Sequence, residues 1–263
     1  MNSVIQQLTH TLGNAQVRSG NSLSERATSY WNSEPTHATA IVYPRTTDEV
    51  SQVMAICHSN NQPVVVQGGL TGCVAGAVSQ EQEIILSLEK MSGIESIDTI
   101  GSTATVQAGV ILEVLQTTLA DADMMFPLDL GARGSCTIGG NIATNAGGIN
   151  VLRYGMMRDL VLGLEAVLAD GTVISSMNQM MKNNAGYDLK QLFIGSEGTL
   201  GVVTRAVVKL FPLPSSVNCA LVAVQDFSAV CQLLAAARAK LAGNLSAFEV
   251  MWGQYYRAVT EAG

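Results

Sequence analysis

Glycine is the residue whose spacing in this sequence points to chemistry. The 25 glycines include three dense segments, Gln67–Gly76, Pro127–Gly148 and Gly195–Gly201. No two glycines are spaced as G-x-G, and no glycine is followed by lysine. The dinucleotide fingerprint G-x-G-x-x-G and the phosphate-binding loop G-x-x-x-x-G-K-[ST] are therefore both absent. Any ligand chemistry of these segments must use glycine in another way.

The first glycine loop, as we call Gln67–Gly76, directly follows an apolar run, Val64–Val66, that predicts a buried strand. No lysine or arginine lies between Arg45 and Lys90. An anion at this loop would therefore be held by backbone N–H groups, which glycine can bring close to a ligand. A diphosphate is such an anion. The alternative is a plain glycine-rich turn between two strands, and the loop alone does not decide between them.

The second glycine segment, Pro127–Gly148, consists mainly of small uncharged residues. A planar ring can lie closely on such a surface while amides such as Asn141 and Asn145 satisfy its polar atoms. Because a structural loop of 22 residues is unusual, ligand binding is the favoured interpretation. The third glycine segment, Gly195–Gly201, also fits a hairpin connection in which Glu197 is a solvated acid.

Composition excludes several classes of protein. The chain has 263 residues, a net charge of −7 and only 13% charged residues. An acidic chain repels phosphate backbones, which argues against a nucleic-acid partner, and 48% hydrophobic residues argue against disorder. No apolar run reaches the roughly 20 residues of a spanning helix, and no secretory signal is visible. We therefore expect a soluble, cytoplasmic protein without a transmembrane segment.

Histidine and cysteine are too sparse for several familiar sites. The three histidines are His10, His37 and His58, so a Ser-His-Asp triad or a histidine-rich metal site cannot be built from the later glycine segments alone. The five cysteines are odd in number, and no pair is spaced as C-x-x-C. This argues against a disulfide framework or a zinc knuckle. We assign no catalytic residue and no metal ligand in this chain.

The elements that must position the glycine segments begin with a βαβ unit. A strand at 40–43, a helix opened by a capping box of Thr46 and Glu49, and a strand at 63–66 predict a parallel pair. Further strands are predicted at 84–88, 93–97, 103–108, 160–168, 173–175 and 201–211, and helices at 4–11 and 110–119. Beyond Pro214, a new unit is predicted with strands at 220–224 and 245–250 and a helix at 226–241.

Three stretches of the sequence have a distinctive residue pattern: PLDLGARGSCTIGGNIATNAGGINVLRYG (127–155), VLGLEAVLADGT (161–172) and GYDLKQLFIGSEGTLG (186–201). Together with the first glycine loop they resemble the FAD-binding domain of the vanillyl-alcohol-oxidase/p-cresol-methylhydroxylase superfamily, in its D-2-hydroxyacid dehydrogenase branch. The resemblance implies an α+β fold of two α+β subdomains, one with a small parallel sheet and one with an antiparallel sheet, and FAD between them. It implies an N-terminal lead-in over 1–34, an FAD-binding domain over 35–214, and the start of a truncated substrate or cap domain over 215–263.

The resemblance also implies a role for each glycine segment. In the first, the diphosphate would lie on Gly68, Gly69, Leu70, Thr71 and Gly72. In the second, the ribityl chain and the isoalloxazine would contact Pro127, Gly134, Ser135, Ile138, Gly139, Gly140, Asn141, Thr144 and Gly147. In the third, the adenine or the pyrimidine edge of the flavin would approach Glu197, Gly198, Gly201 and Val202. The first loop has no histidine, through which some family members attach the flavin, so FAD is expected to be non-covalent.

The activity implied by the resemblance is oxidation of a D-2-hydroxy acid of the 2-hydroxyglutarate, lactate or glycolate class to the 2-oxo acid, with hydride transfer to flavin N5. The family's catalytic histidine, its basic substrate clamp and any divalent metal belong to the cap, beyond this chain. Arg153 could face the flavin or bind carbonyls at a helix end. Two alternatives stay open: a non-catalytic truncated paralogue acting as a binding or assembly subunit, and another alcohol or sugar oxidase of the superfamily. The electron acceptor (an electron-transfer flavoprotein, a quinone or a cytochrome) is not indicated, and a homodimer is also compatible with the sequence.

Overall fold

The computed structural model describes residues 3–23 and 25–261. The first part of the chain forms α1 (Ser3–Leu12), β1 (Val17–Ser19), β2 (Ala40–Val42), α2 (Thr47–Ser59), β3 (Val64–Gln67) and β4 (Ile84–Ser87). The four strands make one sheet in the order β1-β2-β4-β3, in which β1 is antiparallel and the other three are parallel. The predicted pairing of the strands at 40–43 and 63–66 with each other is wrong, because β4 lies between them and pairs with both.

The helices α1 and α2 cover this first sheet through their apolar residues. Leu8 of α1 and Val50 and Val53 of α2 are fully buried in one cluster with the strands. Only half of the predicted capping box forms: the Thr46 hydroxyl accepts from the N–H of Glu49 at 3.2 Å, whereas the Glu49 carboxylate accepts from Arg45. The N-terminal residues thus contribute a helix and a strand to the sheet, and the proposed division of the chain at residues 34 and 214 stays a prediction.

The second sheet has five antiparallel strands and the larger core. Its region contains β5 (Ile94–Asp98), β6 (Thr103–Gln107), α3 (Leu112–Ala120), α4 (Ile138–Ala143), α5 (Val151–Tyr154), α6 (Met157–Leu160), β8 (Val161–Val167), β9 (Val173–Ser176), α7 (Lys190–Phe193) and β10 (Val202–Lys209). The strand order is β5-β6-β10-β8-β9, so that β10, the last in sequence, occupies the centre. The predicted α+β class, with a small, mainly parallel sheet and an antiparallel sheet, is confirmed.

The remaining elements are short or exposed. They are β7 (Met124–Met125), which pairs with β11 (Phe211–Pro212), and the helices α8 (Phe227–Lys240) and α9 (Gly253–Thr260). The predicted strands at 220–224 and 245–250 are wrong, because no neighbouring strand pairs with either segment among the described residues. The predicted helix at 226–241 forms as α8, although neither α8 nor α9 buries a residue. No helix in the described ranges is long and apolar enough to cross a membrane.

A buried carboxylate connects the two sheets. Glu165 on β8 is 7% exposed and accepts a hydrogen bond from the hydroxyl of Thr47, at the start of α2, at 2.6 Å. Arg205 on β10 pairs with Glu165 at 3.4 Å and with Glu95 on β5 at 2.5 Å. Burial raises the pKa of Glu165, but hydrogen bonds from Thr47 and Ser175 and the charge of Arg205 outweigh it, so the pKa lies below its usual value. The network fixes α2 of the first sheet against the second sheet.

Candidate functional site

The first two glycine segments touch each other between the sheets. Gly69 packs against the backbone of the second segment: a Cβ at this position would lie 2.9 Å from the carbonyl carbon of Ser135 and 3.0 Å from the Cα of Cys136. A Cβ at Gly68 would lie 2.6 Å from the hydroxyl oxygen of Thr137. Because glycine lacks a Cβ, the two backbones can approach this closely. The loop that follows β3 and the segment that leads into α4 therefore form one continuous wall.

The third glycine segment joins this wall through the end of α4. The N–H of Glu197 donates to the carbonyl of Ala143 at 2.9 Å, and the N–H of Gly195 donates to the carbonyl of Ile142 at 3.0 Å. The side chain of Glu197 reaches the far end of the first loop, where its Oε2 lies 2.9 Å from the position of a Cβ at Gly76. The fold thus brings together three segments that are separated in sequence.

A cavity of about 530 Å³ lies between the segments. The predicted site residues that line it are Gly68, Gly69, Leu70, Thr71, Gly72, Gly139, Gly140, Asn141, Thr144, Glu197, Gly198, Gly201 and Val202. Ser135 lines an adjoining cavity of about 510 Å³, which shares Gly68, Gly69, Leu70 and Thr137 with the first. The volume of the larger cavity lies within the usual range of cofactor sites. The role of each lining residue toward a cofactor stays a prediction.

Four predicted site residues line neither of these two cavities: Pro127, Gly134, Ile138 and Gly147. Ile138 is 0% exposed because the first residue of α4 faces the core of the second sheet. The carbonyl of Pro127 accepts a hydrogen bond from the side chain of Asn150, and a Cβ at Gly147 would lie 3.2 Å from Val151.

The backbone amides in the middle of the first glycine loop, at residues 69–74, are not used in strand pairing. Within residues 3–23 and 25–261, no carbonyl or side chain accepts a hydrogen bond from the N–H groups of residues 69–74. Leu70, in the middle of the loop, has a φ of 55°, and its carbonyl accepts from the N–H of Tyr30 at 3.2 Å. A plain turn between two strands commonly closes with a hydrogen bond from one of its own N–H groups, and this loop has none at residues 69–74. Their availability favours an anion as the partner of this loop.

Sequence reasoning missed part of the lining and one cation beside the loop. The lining residues that were missed are mostly small or apolar neighbours of predicted ones, such as Val66, Ala77, Leu130, Ala132, Cys136, Ala143 and Val203, together with Ser29. The missed cation is Arg26, which lines the adjoining cavity and donates two hydrogen bonds to Gln67. Because Arg26 and Gln67 are 41 residues apart, no local pattern indicated their contact.

The two arginines that follow the second glycine segment, Arg153 and Arg158, contact protein groups in the structure. Arg158 donates to the carbonyls of Gln191 at 2.9 Å and Ile194 at 2.6 Å, and so attaches α6 to the third glycine segment. Arg153 lies over the ring of its neighbour Tyr154, 5.1 Å from the ring centre, and lines neither cavity. The larger cavity has Glu197 as its one formally charged lining residue among those described. Nowhere in the described ranges do three His, Cys, Asp or Glu side chains form a group that could hold a metal ion.

Comparison with known proteins finds a protein family that matches the region of the first two glycine segments. The model of the family "FAD binding domain" matches residues 38–176. A D-2-hydroxyglutarate dehydrogenase of Bos taurus is 50% identical over 211 residues, which make up 80% of this chain and 39% of that protein. A D-2-hydroxyglutarate–pyruvate transhydrogenase of Saccharomyces cerevisiae is 44% identical over 80% of this chain and 42% of its own. The chain thus spans about two fifths of the length of these curated relatives.

A solved structure shares the fold. The crystal structure of p-cresol methylhydroxylase with substrate bound matches with a TM-score of 0.75 and 22% identity, over 90% of this chain and 48% of that one. At this identity the likeness concerns the fold alone. The bovine relative carries the word mitochondrial in its name, so the predicted cytoplasmic location is without support from the relatives.

Proposed function

Because the chain belongs to the FAD binding domain family, we propose that its three glycine segments hold FAD non-covalently, as the flavin-binding part of an enzyme that oxidises a D-2-hydroxy acid. The observation that carries the proposal is the convergence of the segments on one cavity while the N–H groups of residues 69–74 stay available. The names of the bovine and yeast relatives support a hydroxy acid of the 2-hydroxyglutarate class rather than a sugar as the substrate.

The charges of the cavity suggest how FAD would be oriented. The diphosphate would lie on the first glycine loop, where backbone N–H groups supply hydrogen bonds without a formal charge. The carboxylate of Glu197, at the far end of that loop beside Gly76, would repel a diphosphate placed next to it. We therefore propose that the carboxylate of Glu197 accepts a hydrogen bond from a hydroxyl or a ring N–H of the cofactor. The ring system would lie on the small residues of the second glycine segment, such as Gly139 and Gly140.

The chain's own residues would bind and orient the flavin. Bound FAD would supply the two-electron oxidation chemistry. Oxidising a hydroxy acid also needs a cation for the substrate carboxylate and a base for its hydroxyl proton. Among the described residues that line the larger cavity, none is Lys, Arg or His. We propose that the groups which hold and deprotonate the substrate lie outside this lining.

Cofactor binding and turnover should therefore separate in this chain. We expect the 263-residue polypeptide to bind FAD weakly or partly, with the visible absorption bands of a protein-bound flavin when FAD is supplied in excess. We expect no reduction of a redox dye when D-2-hydroxyglutarate, D-lactate or glycolate is added, because the lining offers no cation to seat a carboxylate. A chain that stays colourless after incubation with excess FAD would contradict the flavin site. Substrate-dependent dye reduction would contradict the assignment of the substrate groups to other residues.

The mode of attachment gives a second test. Cys136 lines the cavity, but burial raises its pKa, although the hydrogen bond from Asn141 acts in the opposite direction. A neutral thiol is a poor nucleophile, which argues against attachment of the flavin to Cys136. The lining contains one other thiol among the described residues, that of Cys73, which the test therefore includes. We expect acid precipitation of the flavin-loaded protein to leave the yellow colour in the supernatant. Colour that stays in the pellet of the wild type but leaves it in Cys73→Ala or Cys136→Ala would show a thioether instead.

A further inference from the structure

A short hairpin near the N-terminus lies outside the three glycine segments, yet it contributes residues to both cavities. The N-terminal hairpin, as we call residues 26–36, is closed by hydrogen bonds from the N–H of Thr28 to the carbonyl of Glu34 and from the N–H of Thr36 to the carbonyl of Arg26, both 2.9 Å. Ser29 within it lines the larger cavity. The hairpin is therefore next to the proposed flavin site, although it precedes the family match in sequence.

The N-terminal hairpin contacts the first glycine loop at two points. The N–H of Tyr30 donates to the carbonyl of Leu70 at 3.2 Å. Arg26 donates from Nε at 3.2 Å and from Nη2 at 3.0 Å to the side-chain oxygen of Gln67, the residue directly before Gly68. Gln67 is 0% exposed, and its amide nitrogen donates to the carbonyl of Ala77 at 2.8 Å. The Gln67 side chain thus spans the base of the loop, and Arg26 fixes its orientation.

The guanidinium of Arg26 is itself held in place. Its Nη1 lies 2.7 Å from Oε2 of Glu89, and the hydroxyl of Ser87 donates to the same oxygen at 3.2 Å. Burial raises the pKa of Glu89, but hydrogen bonds from Arg26 and Ser87 and the charge of Arg26 outweigh it, so the pKa is lowered and the carboxylate stays ionised near neutral pH. Because a guanidinium is planar and carries several donors, it can serve Gln67 and Glu89 at the same time.

We propose that Arg26 is a positioning residue for the cofactor: acting through Gln67, it holds the first glycine loop in the conformation that presents the N–H groups of residues 69–74 to a diphosphate. The inference rests on the proposed function. It adds a role for the N-terminal hairpin, and it requires no contact between Arg26 and the ligand. Lysine cannot reproduce the role, because an ammonium lacks the planar fork of donors that reaches Gln67 twice while it pairs with Glu89.

The test compares FAD affinity in variants of the 263-residue chain, measured by titration of flavin fluorescence. Arg26→Ala and Gln67→Met should each raise the Kd for FAD about tenfold or more, the usual effect of losing a hydrogen bond to a charged group. The double variant should bind no more weakly than the weaker single variant, because both changes remove one linkage. Arg26→Lys should have the thermal unfolding midpoint of the wild type when FAD is absent, because it keeps the ion pair with Glu89. Its Kd for FAD should nevertheless be raised as in Arg26→Ala.

The matched control is Arg18→Ala, which removes an exposed cation that lies over the ring of Tyr43, 5.4 Å from its centre. Its Kd for FAD should equal that of the wild type. A wild-type chain that does not bind FAD contradicts the proposed function itself. A wild type that binds FAD, with Arg26→Ala and Gln67→Met of unchanged affinity, overturns the role of Arg26 alone. If Arg26→Ala does not fold, Arg26→Lys and Gln67→Met carry the same comparison, and wild-type affinity in both overturns the inference.

Discussion

Replacing Gly69 with alanine is expected to abolish FAD binding and to destabilise the fold. The new methyl group would overlap the carbonyl oxygen of Ser135 and lie 2.9 Å from the carbonyl carbon, so one of two backbones must move. Overpacking of this kind costs about 1–3 kcal/mol in the free energy of unfolding. This contact joins the first glycine loop to the second segment in one wall of the cavity, so the displacement would also separate the two.

The control for this prediction lies three residues away in the same loop. A Cβ at Gly72 would have no heavy atom within 4 Å, and alanine keeps the N–H that a diphosphate would contact. We expect Gly72→Ala to fold like the wild type and to keep most of its affinity for FAD. The measurements are urea unfolding without FAD and flavin titration. Wild-type stability and affinity in Gly69→Ala would show that the two backbones do not form a common wall.

Replacing Arg205 with methionine is expected to lower the free energy of unfolding by about 3 kcal/mol at pH 7, because it leaves the buried Glu165 carboxylate without its cation. Arg205 also pairs with Glu95, so one substitution removes both ion pairs of the network. The control is Lys209→Met on the same strand, whose ammonium lies 5.2 Å from the centre of the Phe211 ring. We expect that change to cost less than about 1 kcal/mol.

The loss in Arg205→Met should depend on pH in a defined direction. The pKa of Glu165 is lowered in the folded protein, so its contribution to stability is present above the pKa of an unfolded glutamate, about 4.3. It is lost as the pH falls through the lower pKa of the folded state. The difference between wild type and variant should therefore narrow on acidification. Urea unfolding at neutral and acidic pH measures this difference in the free energy of unfolding. A difference that widens in acid would contradict a lowered pKa of Glu165.

Local patterns predicted much of the fold. The run Val64–Val66 before a glycine marked β3, and the helical spacing after Thr46 marked α2. The same patterns failed where a partner decides the structure. The apolar residues at 220–224 resemble a strand, but a strand needs a neighbour to pair its backbone groups, and none is present among the described residues. The insertion of β4 between β2 and β3 likewise depends on contacts distant in sequence.

The candidate site shows the same division between local and distant information. Glycines such as Gly69 could be found from the sequence, since positions of close backbone approach require that residue. The direction in which a side chain points could not be found from the sequence. Ile138 lies in the second glycine segment, as predicted, but its side chain is buried in the core. Arg26 could not be found either, because its contact with Gln67 exists only after the N-terminal hairpin has folded against the end of β3.

The central position of β10 has a consequence for biosynthesis. The hairpins β5–β6 and β8–β9 can form as soon as each leaves the ribosome, but their inner strands, β6 and β8, each keep an unpaired edge until residues 202–209 pair with both. Exposed strand edges recruit other chains, and pairings between distant segments form slowly. Growing chains that already contain β9 but still lack β10 would therefore carry two unpaired inner strand edges. Protection by chaperones would be needed most during that interval, before the last strand closes the sheet.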